Sequence, residues 1–292
     1  MKIATFDIGG TGVKFASMTE QGELLSKQTT TTPDSLEHLL DWMDECLVQD
    51  AFDGIAMSVP GAVNQALGVI EGYSAVPYIH GFSWYEKLGH YQLPVHLEND
   101  ANCVGLSELL AHPELTNAAC VVIGTGIGGS MILDGKLHRG PHGLGGEFGY
   151  MTWVTPGEKL GNWSQLASTG SLVRYVNEET GQSDWDGRKI YQAASEGHLI
   201  CQQGIDRMNR NVAQGLLNIQ YLIDPDVISI GGSISQNPDF IAGVKAAVAE
   251  LVERYEEYTV APEILACTYD ADANLYGALV NWLKEEEQWS AS

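Results

Sequence analysis

The stretch "VVIGTGIGGSMILDGKL", residues 121–137, decides the fold. An apolar run meets a glycine loop, a second strand-like run follows, and Asp134-Gly135 turns the chain into a third. Asp-Gly between such runs is a strong hairpin signal. The same layout occurs earlier, in residues 3–25: "IATFDI", then "GGTG", then "VKFASM", then the turn and strand of "TEQGELL". The two stretches share little identity but one order of parts, so they read as an internal repeat. They predict an α/β chain of two lobes, built from duplicated βαβ-type halves with a central cleft. The halves are expected at residues 1–116 (a small N-terminal lobe, on which a C-terminal helix of about 275–292 packs) and 117–274 (a large C-terminal lobe).

Other elements follow from periodicity. "PDSLEHLLDWMDECLVQ" reads as an amphipathic helix capped by Asp34, with Leu36, Leu39, Leu40, Met43 and Leu47 at helical spacing. "GIAMSVPGAV" is a short strand entering a Pro-Gly turn. Helices are expected at about 202–223 and 238–256, on either side of a strand, "DPDVISI", and a third glycine turn at Gly231-Gly232. The acidic end "NWLKEEEQWSAS" reads as a helix fraying into a solvated tail, and Trp84 reads as core.

At 292 residues the chain can bury two cores. Its formal charge of −23 excludes a phosphate-backbone binder, which needs clustered Lys and Arg, so no nucleic-acid partner is expected. The apolar runs fall short of a bilayer span, and Asp7 interrupts what a signal peptide would keep apolar. No membrane association and a cytoplasmic location are expected. The 5 cysteines are odd in number and form no C-x-x-C pair, which argues for buried small hydrophobes rather than a disulfide framework.

"DIGGTGVK" supplies main-chain N–H groups at Gly9, Gly10 and Thr11, a cation at Lys14 and a carboxylate at Asp7. Consecutive N–H groups form an anion nest, and a carboxylate beside it makes sense if Mg²⁺ lies between it and a phosphate. Lys14 supports those phosphates or points to solvent. "GTGIGG" matches G-x-G-x-x-G through Gly124, Gly126 and Gly129, but a hairpin follows where a dinucleotide site needs a helix. No G-x-x-x-x-G-K-[ST] occurs either. The two glycine hairpins instead suit a nucleotide's phosphates. "PVHLENDANCVG", residues 94–105, sets Glu98, Asn99, Asp100 and Asn102 between a strand and a helix whose inward face draws on Val104, Leu106, Leu109 and Leu110. The polar cluster reads as a helix cap or as a set of sugar-hydroxyl partners.

With "DIGGTGVK", "ENDANC", "VVIGTGIGGSMILDGKLHRG", "GGEFGY" and "VISIGGSIS" in this order, the chain resembles the ROK family of sugar kinases and sugar-responsive repressors from about residue 2 to 282. The resemblance implies a two-lobed actin-like ATPase (ribonuclease-H-like) fold, a homodimer, and transfer of the ATP γ-phosphoryl group to a sugar hydroxyl, O6 of a hexose or a related sugar. It carries over Asp7, Gly9, Gly10 and Thr11 as the first phosphate motif, with Lys14 in support and Asp7 holding Mg²⁺ through water. Gly124, Thr125, Gly126 and Gly128 match the second phosphate motif, and Gly231 and Gly232 the adenosine-side turn. Asn99 and Asp100 match the sugar-binding pair, with Asp100 as the base; Asp100 can cap its helix as well. Glu147 matches the glutamate on the ring hydroxyls, and Gly61 and Ala62 the turn under the sugar.

The chain departs from the family at its zinc site. Where the pattern is E-x-G-H this sequence has Glu147-Phe148-Gly149-Tyr150, and the loop over residues 154–168 contains no cysteine. Structural zinc wants four Cys or His ligands, so no zinc is expected. Ser164 falls where the family loop brings a glutamate to the sugar, and Tyr150 is expected to fill the vacated volume rather than touch a hydroxyl. His142 reads as a loop histidine and Arg139 as structural. A repressor would need a DNA-binding segment ahead of the first phosphate motif and a basic surface, and with the first strand read from residue 2 and no basic stripe it is not the expected reading. A sugar-sensing protein without catalysis is the other alternative, which intact Asp7, Asp100 and glycine loops disfavour.

Overall fold

Each strand–glycine–strand stretch opens a five-stranded sheet, and the two sheets share one topology. The computed structural model describes residues 1–155 and 159–286. The chain first runs through β1 (Lys2–Ile8), β2 (Gly12–Thr19), β3 (Leu24–Thr31), α1 (Leu36–Leu47), β4 (Gly54–Val59), β5 (Ala62–Asn64) and β6 (Val69–Glu71). Next come α2 (Trp84–Lys87), β7 (Val95–Asn99), α3 (Asp100–Ala111), β8 (Ala118–Ile123), β9 (Ile127–Leu133) and β10 (Lys136–Leu137). β11 (Thr152–Thr155), β12 (Lys159–Asn162), α4 (Trp163–Ala167), α5 (Thr169–Thr180), α6 (Gly187–Ser195) and α7 (Leu199–Ile223) follow. The last elements are β13 (Val227–Gly231), α8 (Pro238–Arg254), β14 (Ile264–Ala266) and α9 (Ala273–Glu285).

One sheet is ordered β3-β2-β1-β4-β7 and the other β10-β9-β8-β13-β14. In each, an antiparallel meander supplies three strands and two more add in parallel. The internal repeat therefore holds at the level of strand order and direction. The chain packs as two compact units: one holds residues 1–114, 139–145 and the segment from Ala271, the other residues 115–138 and 146–270. Residues 139–145, which the sequence reading left with the second lobe, belong to the first unit. The tail expected after α9 lies outside the described residues.

In the first unit, alternation along β1 sends Ala4, Phe6 and Ile8 to one face and Ile3 to the other. The first face is closed by Leu39, Met43, Cys46 and Leu47 of α1, together with Trp84, which is core as expected. The second is closed by α9 through Leu275, Leu279, Trp282 and Leu283. α3 is buried almost all round, from Asn102 to Leu109, so its inward face is broader than Val104, Leu106 and Leu109 alone; Leu110 is only half-buried. The second unit gathers its core on Val121 and Ile123 of β8 and on the long apolar stripe of α7.

Two expected caps shift by one residue. Ser35, not Asp34, caps α1 by accepting the N–H of His38, because Asp34 is drawn to the His38 ring at 2.7 Å. Asn99, not Asp100, caps α3 by accepting the N–H of Asn102. The hairpin at Asp134-Gly135 forms as expected, with both residues at positive φ (52° and 68°), the requirement of the tight hairpin turn.

Candidate active site

In open α/β sheets, ligand sites gather at the carboxyl ends of the parallel strands, where loops leave the sheet. In the first unit that edge carries the ends of β1, β4 and β7. The register sets Asp7 beside Ser58, Ser58 beside Glu98, and Val59 beside Asn99. Asp7, the Gly9–Thr11 loop, the Gly61–Ala62 turn and Asn99–Asp100 thus share one rim.

Asp7 is 6% exposed. Its Oδ2 accepts from Lys14 Nζ at 2.9 Å and its Oδ1 from Asn274 Nδ2 at 2.9 Å. Lys14 faces Asp7 directly across the β1–β2 ladder and also donates to the carbonyl of Ala271. It therefore points neither to solvent nor along the loop, but holds the carboxylate. The loop itself is closed by Gly9 N–H donating to Gly12 O at 3.0 Å and tied by Thr32 Oγ1 donating to Gly9 O. None of its glycines has a positive φ; a Cβ on Gly10 would collide with Ala75. The exposed Gly10 and Thr11 main chain lies at the carboxyl end of the strand that bears the buried acid. A hydrated Mg²⁺ fits this donor set: each Asp7 oxygen has a second lone pair for a bridging water, and Mg²⁺ keeps several waters.

Gly61 sits at φ +108°, and a Cβ there would crowd Ile70, Glu71 O and His80, so the turn admits only glycine. Its carbonyl accepts from Asn99 Nδ2 at 3.1 Å, which locks the turn to the end of β7. The same Nδ2 donates to Asp100 Oδ1 at 3.0 Å, and Ala101 N–H donates to that oxygen at 2.8 Å. The Asp100 carboxylate is oriented by two donors on one oxygen at the first turn of α3.

Behind this pair lies a member of the polar cluster to which the resemblance assigned no role. Glu98 is 1% exposed. Its Oε1 accepts from Asn99 N–H (2.8 Å) and Asn102 Nδ2 (2.9 Å), its Oε2 from Arg139 Nε (2.6 Å) and Gln65 Nε2 (3.2 Å). A buried carboxylate is tolerable when its lone pairs are met in this way. Arg139 also donates to Asn281 and Glu285, which binds residues 139–145 to the first unit. Asn274, Gln65 and Arg139 gave no local signal, since each meets its partner across a long stretch of sequence.

In the second unit the β8–β9 loop mirrors the first: Gly124 N–H donates to Gly126 O at 2.9 Å. A Cβ on Gly124 would meet nothing within 4 Å, so neither φ nor packing demands glycine there, while its carbonyl accepts from Gly170 N–H at 3.4 Å. Thr125 and Gly126 are exposed. Gly128 departs from this set: it sits inside β9, paired with Val122, and its main chain belongs to the sheet. Gly231 pairs with Val122 on the other side of β8, so the Gly231–Gly232 turn shares the carboxyl edge of the second sheet with the Gly124–Gly126 loop. Gly232 has φ +88° and no room for a Cβ against Ile123.

Ser164 grips the second loop instead of projecting as an acid would: its Oγ accepts from Ile127 N–H at 2.9 Å and donates to Ile127 O at 3.2 Å. Glycines 129, 146 and 149 let residues 146–150 press against β9, where a Cβ on any of them would overlap a neighbour. That segment presents Glu147, half-buried, whose carboxylate has no hydrogen-bond partner among the described residues; burial pushes its pKa above the ordinary value. Tyr150 does not fill a vacated volume, being 72% exposed. The loop once expected over 154–168 is a β11–β12 hairpin followed by α4, whose Asn162 and Gln165 form a reciprocal cap; residues 156–158 lie outside the described residues. Among the described residues, no three His, Cys, Asp or Glu side chains gather as metal ligands do, and no helix is long and apolar enough to cross a membrane.

The sequence matches the model of the ROK family over residues 3–285. A beta-glucoside kinase of Listeria monocytogenes is 35% identical, with 99% of each chain covered. Among solved structures, a ROK family protein from Streptococcus pneumoniae in complex with sucrose is 74% identical with a TM-score of 0.96, covering 99% of this chain and 100% of that one. A ROK family glucokinase from Streptomyces griseus, in complex with glucose and AMPPNP, is 25% identical with a TM-score of 0.76, covering 96% and 98%. The expected mixed α/β, actin-like ATPase fold is the one these structures have.

Proposed function

This chain belongs to the ROK family, and from that membership we propose that it is an ATP-dependent sugar kinase acting on a hydroxyl, O6, of a hexose or related sugar. The observation that carries the proposal is the Asn99–Asp100 pair: an acid oriented through one oxygen, at the sheet edge that also bears a glycine nest. Phosphoryl transfer passes through a loose transition state, so catalysis is mostly positioning and neutralisation of charge. Asp100 accepts the proton of the attacking hydroxyl, while the Gly61–Ala62 turn, Asn99 and Glu147 hold the ring. Gly10 and Thr11 in the first unit and Thr125 and Gly126 in the second receive phosphate oxygens, the N–H groups of Gly9 and Gly124 being used to close their own loops, and Gly231–Gly232 receive the adenosine side. Asp7 is the residue that would hold Mg²⁺ through water, and the ion would supply neutralisation of phosphate charge there. The same reading carries a homodimer, a cytoplasmic location and the lack of a structural zinc, for which sedimentation, fractionation and metal analysis are the direct measurements.

The test is a coupled ATP assay over glucose, mannose, N-acetylmannosamine, fructose and cellobiose. The wild type releases ADP only when a sugar acceptor is present. Asp100→Asn folds and binds sugar but turns over about 10²–10⁴-fold more slowly, the worth of a positioned general base. Near-normal turnover in that variant would remove Asp100 from the role.

A further inference from the structure

In the second unit α5 and α7 face each other closely. Gly204 of α7 permits this, since a Cβ there would stand 2.9 Å from Leu172 and 3.1 Å from Tyr175 of α5. Between the helices lies a cavity of about 210 Å³, to which α5 contributes Arg174 and Glu178, α7 Arg207 and α4 Gln165. Each of the two facing helices thus brings one guanidinium to the same space. We infer that this cavity binds a phosphate group, as inorganic phosphate or as the phosphoryl end of a sugar phosphate. None of the residues assigned above to sugar or nucleotide is in its wall, and the inference goes beyond the kinase reading.

The chain has 38 acids against 15 Lys and Arg, and Lys14, Lys27, Arg139 and Arg254 each meet a carboxylate. Arg174 and Arg207 form no ion pair among the described residues. Neutral groups hold their heads instead. Arg174 Nη2 donates to Gln165 O at 3.4 Å, and Arg207 lies over the Tyr175 ring, 5.0 Å from its centroid. Such partners fix a guanidinium without neutralising it, and the planar fork suits phosphate oxygens. Glu178, one turn beyond Arg174, pairs with neither, so two cations face a single acid. Ser171 Oγ donates to Ser168 O, which leaves the guanidinium groups as the donors. The volume is below the ~300 Å³ of drug-sized sites but admits a phosphate group with several waters of about 30 Å³ each. The wall is tied to the second glycine loop within the same unit. Gly170, in the first turn of α5, donates its N–H to Gly124 O, and Ser164 of α4 holds both main-chain groups of Ile127. A phosphate bridging Arg174 to Arg207 restrains α5 against α7, and through Gly170 it restrains that loop.

The experiment is calorimetric titration of the full chain with inorganic phosphate and, separately, with glucose 6-phosphate, at about 0.1 M salt so that the net charge is screened. Thermal melting checks that each variant folds. Arg174→Ala/Arg207→Ala, both at exposed positions, should bind phosphate at least about tenfold more weakly than wild type, as expected for lost charge-assisted hydrogen bonds. Glu178→Gln removes the like charge from the wall and should bind about twofold to fivefold more tightly. A wild type that does not bind phosphate, a double variant with wild-type affinity, or a Glu178→Gln variant that binds no tighter overturns the site. Within a supported site, tighter binding of glucose 6-phosphate than of phosphate identifies a sugar phosphate as the occupant, and equal or weaker binding identifies free phosphate. Saturating phosphate should also lower the Kd for Mg-ADP about fivefold in wild type, the low end of usual couplings, and leave it unchanged in the double variant. A wild-type Kd that phosphate does not move overturns the link to the loop. Phosphate binding without any nucleotide binding would count against the kinase reading alone.

Discussion

Glu147 shows how a residue assigned to binding weighs on stability. Burial alone raises its carboxyl pKa above the ordinary 4.5. Between that value and the raised one, the folded state holds more protons than the unfolded state, so stability falls as pH rises through the window. Above the raised pKa the full cost is present; below 4.5 it is gone. Glu147→Gln should therefore melt higher than wild type at pH 7, with the difference vanishing as both are taken below pH 4.5. On the kinase reading the same variant raises KM for sugar. A variant less stable than wild type at pH 7 would mean that the carboxylate has a stabilising partner. At this scale the sequence marked Asn99 and Asp100 as part of a polar cluster, a helix cap or a set of sugar-hydroxyl partners, and Glu147 stood out only through the resemblance to the family. Glu98 and Arg139 were not legible as a pair: they are 41 residues apart, and only the folded chain brings them to 2.6 Å. Lys14 was half legible, since antiparallel pairing with β1 puts it opposite Asp7 once the hairpin register is known.

Elements in this protein meet where glycine allows it. α3 and α9 approach so closely that a Cβ on Gly277 would overlap the main chain of Cys103, a neighbour that cannot rotate away. Gly277→Val should force the helices apart and cost about 1–3 kcal/mol or more, read by urea denaturation. Gly89→Ala is the control: no atom lies within 4 Å of the added carbon and its φ is not positive, so it should be no less stable than wild type and gain up to about 1 kcal/mol. Ser164 illustrates a contact between elements with a functional reach. It satisfies both the N–H and the carbonyl of Ile127, the residue that ends the second glycine loop. Ser164→Ala removes about 1 kcal/mol of restraint, and KM for ATP should rise about fivefold with little change in KM for sugar; a reversed split would place Ser164 on the sugar side. Strands and helices were largely readable, because alternation and 3.6-residue periodicity record which face is buried. Cap positions were not, since Asp34 and Ser35 both qualify by type, and the choice fell to the pull of His38.

At the scale of the whole chain, the duplication could be read in advance because hairpin signals and glycine loops are local, whereas membership of a unit is not. Residues 139–145 follow the second sheet's meander in sequence and belong to the first unit through Arg139. Net charge, in contrast, is legible from composition alone and carries a prediction of its own. A formal charge of −23 repels an anionic substrate at long range. The lysine nearest the first glycine loop offers little relief, because Lys14 is already paired with Asp7. Screening shortens this repulsion to a Debye length of about 10 Å at 0.1 M salt. With Mg²⁺ saturating, kcat/KM for ATP should rise severalfold as ionic strength goes from about 10 mM to about 150 mM, while kcat/KM for a neutral sugar stays level. The sugar arm separates screening from any effect of salt on folding or on the chemical step, since both substrates meet the same enzyme. A fall in the ATP value would show that the local donors of the glycine loops, not the global charge, govern the approach of the nucleotide.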